Sequence, residues 1–198
     1  MRKFDIRKLR LKLAPDVGEL DGKTILLNLL ITQLLTFVAG AAIILFQEDN
    51  SWRNLFAVGN IGSAVGWGAA FAAVVLLADY AISRRVPEDV VDDGGINRLI
   101  FADRPLWLIA AISLTVAFCE ELLFRGAIQH AFGPYWTSIL FAAVHFRYLR
   151  HWLTTGLVFG ISYGLGWIFL RTGTLWTTII AHFIIDFVMG CIIRYRRD

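Results

Sequence analysis

Apolar positions along this chain fall in long unbroken runs rather than in the alternation of a half-buried strand. The runs lie near 25–46, 61–81, 106–131, 134–149, 153–170 and 175–193. About twenty residues at 1.5 Å each cross the ~30 Å of bilayer hydrocarbon. Lipid offers no partner for a free backbone amide, so such segments must be helices. A β-barrel would need short alternating segments, which are absent. The breaks carry turn chemistry: QEDN at 47–50, PEDVVDDGG at 87–95, Gly133–Pro134, and RTGT at 171–174. The pattern predicts an all-α, polytopic transmembrane bundle of six spans.

Composition agrees. The 198 residues are 57% hydrophobic and 18% charged, with a mean hydropathy of +0.62. Lysine and arginine set the expected direction. With the N-terminus in the cytoplasm, the inward segments (1–24, 82–105, 147–150 and the tail) hold 7, 4, 2 and 3 basic residues. The outward loops hold only Arg53 and Arg171. That bias predicts an N-in, C-in topology. The first apolar run is too long for a signal-peptide core. Residues 1–24 form a basic stretch interleaved with Phe4, Leu9, Leu11 and Leu13. It is expected to lie on anionic lipid as a cytoplasmic surface segment, with 25–198 as the bundle. Nothing in the chain points to nucleic acid. Gly62 and Gly66, and then Gly156, Gly160 and Gly164, have the four-residue spacing at which membrane helices approach closely, and are expected to pack inside the bundle.

Ionisable side chains within the spans change the picture, because each costs ~2.5–3.5 kcal/mol to insert. They are Glu120, Glu121 and Arg125 in span three, His145 in span four, and His182 and Asp186 in span six, while Asp79, close to the inner end of span two, reads as interfacial. Glu121 stands 12 residues before Gly133 and His145 stands 12 after it. An antiparallel hairpin with its apex there puts both ~18 Å below the apex. His182 and Asp186 follow Gly173 by 9 and 13 residues, or ~14–20 Å. The expectation is one polar layer. Glu121 and Arg125 share a helix face at i,i+4, as do Phe141 and His145, and His182 and Asp186. His130 and His151 lie outside the layer.

Carboxylates, imidazoles and one arginine make an acid–base set, suited to hydrolysis by an activated water. Ser113, Ser138 and Ser162 read as off the layer or unpartnered. Cys119 abuts Glu120, but it and Cys191 read as small buried hydrophobes, with no C-x-x-C spacing.

Three ordered motifs then stand out: E-E-x-x-x-R at Glu120–Arg125, F-x-x-x-H at Phe141–His145 and H-x-x-x-D at His182–Asp186. Together they resemble the CPBP family of intramembrane proteases, also called Abi or CAAX-protease-like. GLVFGISYGLGWIFLRTGTLWTTIIAHFIIDF resembles that family's lead into its third motif. The resemblance covers about residues 105–190 and implies an endopeptidase. Carried over, Glu120 and His145 would activate the water, and Glu121 would support them, held by Arg125. His182 and Asp186 would line the oxyanion side. The family often has asparagine at the last position. An ionised Asp186 cannot donate to an oxyanion; it would orient His182, be protonated or help hold a metal. Two mechanisms stay open: a metal-free glutamate peptidase, or a zinc ion on His145, His182 and Glu121, which are suitable ligand types although no H-E-x-x-H is present. A short chain of this kind resembles the prokaryotic members, linked to bacteriocin self-immunity, peptide processing and membrane signalling. That implies a prokaryotic plasma membrane and a peptide or membrane-protein substrate.

Two other classes stay open. A non-catalytic scaffold could bind a membrane partner through the same layer. A proton-coupled transporter could relay protons through it, although no internal repeat of the kind common in transporters is visible.

Overall fold

The computed structural model describes residues 21–86, 95–149 and 151–196. All regular structure among them is helical. Helix α1 is Gly22–Leu45, α2 the short Trp52–Leu55, α3 Ile61–Ser83 and α4 the short Ile96–Phe101. Helix α5, Leu106–Glu121, widens into a π segment at Leu122–Ile128 and continues as α6, Gln129–Val144. A 3₁₀ turn at Phe146–Tyr148 leads to α7, Trp152–Thr172, and α8, Leu175–Tyr195. The expected basic surface segment lies, apart from its last four residues, outside the described residues.

Five helical runs among the described residues are long and apolar enough to cross a membrane, rather than six. The expected third and fourth spans form one 39-residue run, Leu106–Val144. It folds back at Gly133, whose backbone (φ 70°, ψ 172°) is open to glycine almost alone. Phe124 and Phe141, on opposite sides of this kink, have ring centroids 4.8 Å apart, which a continuous helix could not allow. The arm after the kink, Pro134–Val144, is 11 residues or ~16 Å long, half the hydrocarbon thickness. The span expected at 134–149 is therefore a half-length arm. Its apex is also lower than expected. Gln129 donates to the Gly166 carbonyl at 3.0 Å, and a Cβ on Gly166 would lie 3.0 Å from Pro134 Cβ. Gly166 is six residues from the outer end of α7, or ~9 Å along it.

Helix α8 is the centre of the bundle, packing against α3, α4, α5 and α7. Helix α1 packs on α5 and the π segment. Above the polar layer, Ile44, Leu55, Leu122, Ala127, Leu175 and Ile179 form an apolar plug with Phe37, Phe56 and Phe118 around it. On the other side of the layer, Ile25, Ile100 and Ile112 form a second. The glycines that bring helices together are not those whose spacing suggested it. A Cβ at Gly156, Gly160 or Gly66 would meet nothing within 4 Å, and at Gly62 only its own N-cap asparagine. Of the expected set, Gly164 alone packs, beneath the Phe71 ring. Close approach occurs instead at Gly40, 3.0 Å from Leu123 Cα, and at Gly68, 2.8 Å from the Thr177 carbonyl, measured from an added Cβ.

Candidate active site

The six ionisable residues come together in one layer. Arg125, 1% exposed, donates through Nη1 to Glu121 Oε1 at 3.1 Å. Its Nη2 donates to the backbone carbonyl of Ser162 at 2.9 Å and to the Ser162 hydroxyl at 3.0 Å. The guanidinium lies over the Phe141 ring at 5.0 Å. Ser162 therefore belongs to the layer, contrary to its reading from sequence. It serves as an anchor for the arginine rather than as a free nucleophile.

Glu121, also fully buried, accepts a second bond at the same oxygen from His182 Nδ1 at 2.8 Å. The other nitrogen of His182 faces Asp186 Oδ2 at 3.5 Å. This makes a continuous relay of Ser162, Arg125, Glu121, His182 and Asp186, spanning the π segment, α7 and α8 through α5. Glu121 and Arg125, at i,i+4, bond across the start of the widened π segment, which leads the chain toward Gly133. Its outer end is held by the loop after α1: Gln47 donates to the Ala127 carbonyl at 3.0 Å and Asn50 to the Gly126 carbonyl at 2.6 Å.

Glu120 and His145 form the second half of the site. Helix α6 ends at His145, whose Nδ1 lies 2.8 Å from the Phe141 carbonyl. A carbonyl only accepts, so Nδ1 carries the hydrogen. In the neutral ring, Nε2 is then an acceptor. The ring stacks on Phe141 at 4.4 Å, which fixes its plane. Across from it, Glu120 Oε2 lies 4.0 Å from Nε2. Two acceptors thus face one another at a distance that suits a molecule donating to both, as water does. His145 and Asp186 are partly exposed on this side, whereas Glu121 is sealed. Glu120's other oxygen, Oε1, accepts from Gln33 Nε2 at 3.3 Å. Sequence reading missed Gln33; its only signal was a carboxamide within the apolar run of α1. His130 is exposed and His151 occupies the N-cap of α7, so neither joins the layer. Cys119 is buried, 7% exposed.

The zinc donor set does not fit this arrangement. Glu121 is committed to an arginine and to His182, and His182 in turn has a carboxylate at each nitrogen. Among the described residues, no three His, Cys, Asp or Glu side chains form a group that could hold a metal ion.

Comparison with known proteins fixes the family. A family model described as type II CAAX prenyl endopeptidase Rce1-like matches residues 102–188. An uncharacterized protein of Bacillus subtilis (strain 168), YpbD, is 43% identical over 173 residues, covering 84% of this chain and 90% of its own. The chain belongs to the CPBP family of CAAX-type intramembrane proteases. No solved structure matches it. The matched CPBP segment contains all three motifs, and with its apolar helices the chain is a multi-pass membrane protein. Gln33, Gln47 and Asn50 lie outside the matched CPBP segment, on α1 and the loop after it.

Proposed function

We propose that this protein is an endopeptidase of a bacterial plasma membrane, hydrolysing a peptide bond with a water held between Glu120 and His145. The observation that carries the reading is the facing pair of acceptors, Glu120 Oε2 and His145 Nε2, 4.0 Å apart on the open side of an otherwise sealed polar layer. A water donating to both turns a lone pair toward a peptide carbonyl. As it attacks, Glu120 takes one proton, and the same carboxyl later delivers it to the leaving amine. Glu121, held by Arg125 and His182, fixes the charge layout without entering the reaction. With its Nδ1–H given to Glu121, His182 as an imidazolium offers its Nε2–H to the developing oxyanion, and Asp186, at a loose 3.5 Å from Nε2, keeps the ring turned. No step needs a metal.

The substrate is a peptide or a membrane protein reached from the bilayer or the cytoplasmic face, and residues 1–24 rest on anionic lipid. The B. subtilis relative supports a bacterial setting. The test is cleavage of a peptide library by the full chain in liposomes. The wild type cleaves, Glu120→Ala and His145→Ala do not, and EDTA leaves the rate unchanged. Cleavage surviving both substitutions ends the proposal. Loss with EDTA and recovery with zinc replaces its mechanism.

A further inference from the structure

Helix α1 contributes to the site from outside the family-matched segment. Most of its side chains face outward; those buried are Ile25, Gln33, Gly40 and Ile44. These four lie along one stripe, and Gly40 on that stripe rides on the backbone of Leu123. Gln33, only 4% exposed, is thus aimed at α5, where its Nε2 reaches Glu120 Oε1 at 3.3 Å. A carboxamide in an apolar, lipid-spanning helix costs free energy unless it is paired. Its one bond here goes to the residue proposed to activate water.

We propose that Gln33 is a positioning residue for Glu120, an inference that rests on the endopeptidase reading. A glutamate side chain has three rotatable bonds, and among the described residues no arginine bonds the Glu120 carboxylate as Arg125 bonds Glu121. Gln33 occupies one of its oxygens and leaves the other turned to His145 Nε2. The amide is suited to both states of the reaction. Its NH₂ donates to the carboxylate before attack. Its oxygen Oε1, buried without a hydrogen-bond partner, can accept from the carboxylic acid once Glu120 holds the proton. Leucine or methionine at position 33 would offer neither contact. Glutamate would keep the shape but oppose one carboxylate with another.

The experiment uses the full chain in detergent and a fluorogenic peptide selected because the wild type cleaves it. Gln33→Met keeps the volume and suits a membrane helix, so the protein inserts and folds. The expected result is a tenfold or greater loss of kcat with KM unchanged and the unfolding midpoint no lower than wild type. Gln33→Glu loses at least as much. A role confined to helix packing predicts the reverse: a shifted midpoint and an intact kcat per folded molecule. Wild-type kcat in Gln33→Met, beside a dead Glu120→Ala, overturns this inference alone. Full activity in Glu120→Ala overturns the endopeptidase mechanism and this inference with it.

Discussion

Arg125 offers the sharpest test of how the polar layer is held. Replacing it with leucine removes three hydrogen bonds, one to Glu121 and two to Ser162, from a side chain that is 1% exposed. Bonds to a charged group contribute ~1.5–3 kcal/mol each, but the arginine's own desolvation offsets much of the sum. Breaking a buried pair while leaving its partner in place costs ~3–5 kcal/mol net. Glu121 keeps His182 at 2.8 Å, which places Arg125→Leu toward the lower end, at about 3 kcal/mol. That is a more than hundredfold fall in the folded-to-unfolded ratio, at about 1.4 kcal/mol per factor of ten. The assay is unfolding of purified protein in mixed micelles, followed by a thiol-reactive dye at buried Cys119 in a Cys191→Ala background. Arg125→Lys keeps the charge but loses the planar fork that reaches Glu121 and Ser162 together, and should lie between leucine and wild type. The double variant Glu121→Gln/Arg125→Leu removes both charges, keeps an amide oxygen for His182 Nδ1, and should recover most of the loss. An Arg125→Leu protein within 1 kcal/mol of wild type, or a double variant less stable than the single one, would refute the reasoning.

Other consequences can be measured in the same preparation. Glu120→Gln should lower peptide cleavage by about 10²-fold or more while leaving the unfolding midpoint in place, because general-base catalysis is typically worth 10²–10⁴; a near-normal rate would remove Glu120 from the chemistry. Gly40→Ala and Gly68→Ala bring a methyl within 3.0 Å and 2.8 Å of neighbouring backbone, and should each destabilise by ~1–3 kcal/mol. Gly156→Ala and Gly160→Ala meet open space and should be neutral or stabilising by up to ~1 kcal/mol; equal effects at all four sites would contradict the packing described. Asn50→Ala frees the Gly126 carbonyl and should cost ~1–3 kcal/mol, with faster hydrogen exchange at the π segment as the local readout.

The long apolar runs were legible because lipid requires every crossing to carry its own backbone bonds, so hydropathy and turn residues place helices within a few positions. The layer was legible because Glu120, Glu121, Arg125, His145, His182 and Asp186 are costly where they stand, and equal counts from Gly133 put Glu121 and His145 level with each other. What failed was whatever depends on a neighbour. Spacing showed that Gly156, Gly160 and Gly164 share a face, but not that only Gly164 has a helix in front of it. Counting treated Gly133 as a surface apex, whereas the reversal is sunk beside Gly166. Ser162 looked unpartnered because its partner, Arg125, is 37 residues away. Gln33 was passed over because its value comes from the packing of α1 on α5, which no local pattern encodes.

The π segment has a consequence for how this chain tolerates change in length. A wide turn is equivalent to one residue inserted into an α-helix, so losing any one of residues 122–128 would let the stretch relax to ordinary pitch. The widened turn is what absorbs the extra residue, so the helices on either side would keep nearly their rotational register when it is lost. Glu120 and Glu121, on α5, would keep their facing, and only side chains inside the segment would be re-aimed. A single in-frame codon deletion at 126–128 should therefore disturb the bundle less than one within α5, where no wide turn takes up the missing residue and all that precedes it must rotate by ~100°.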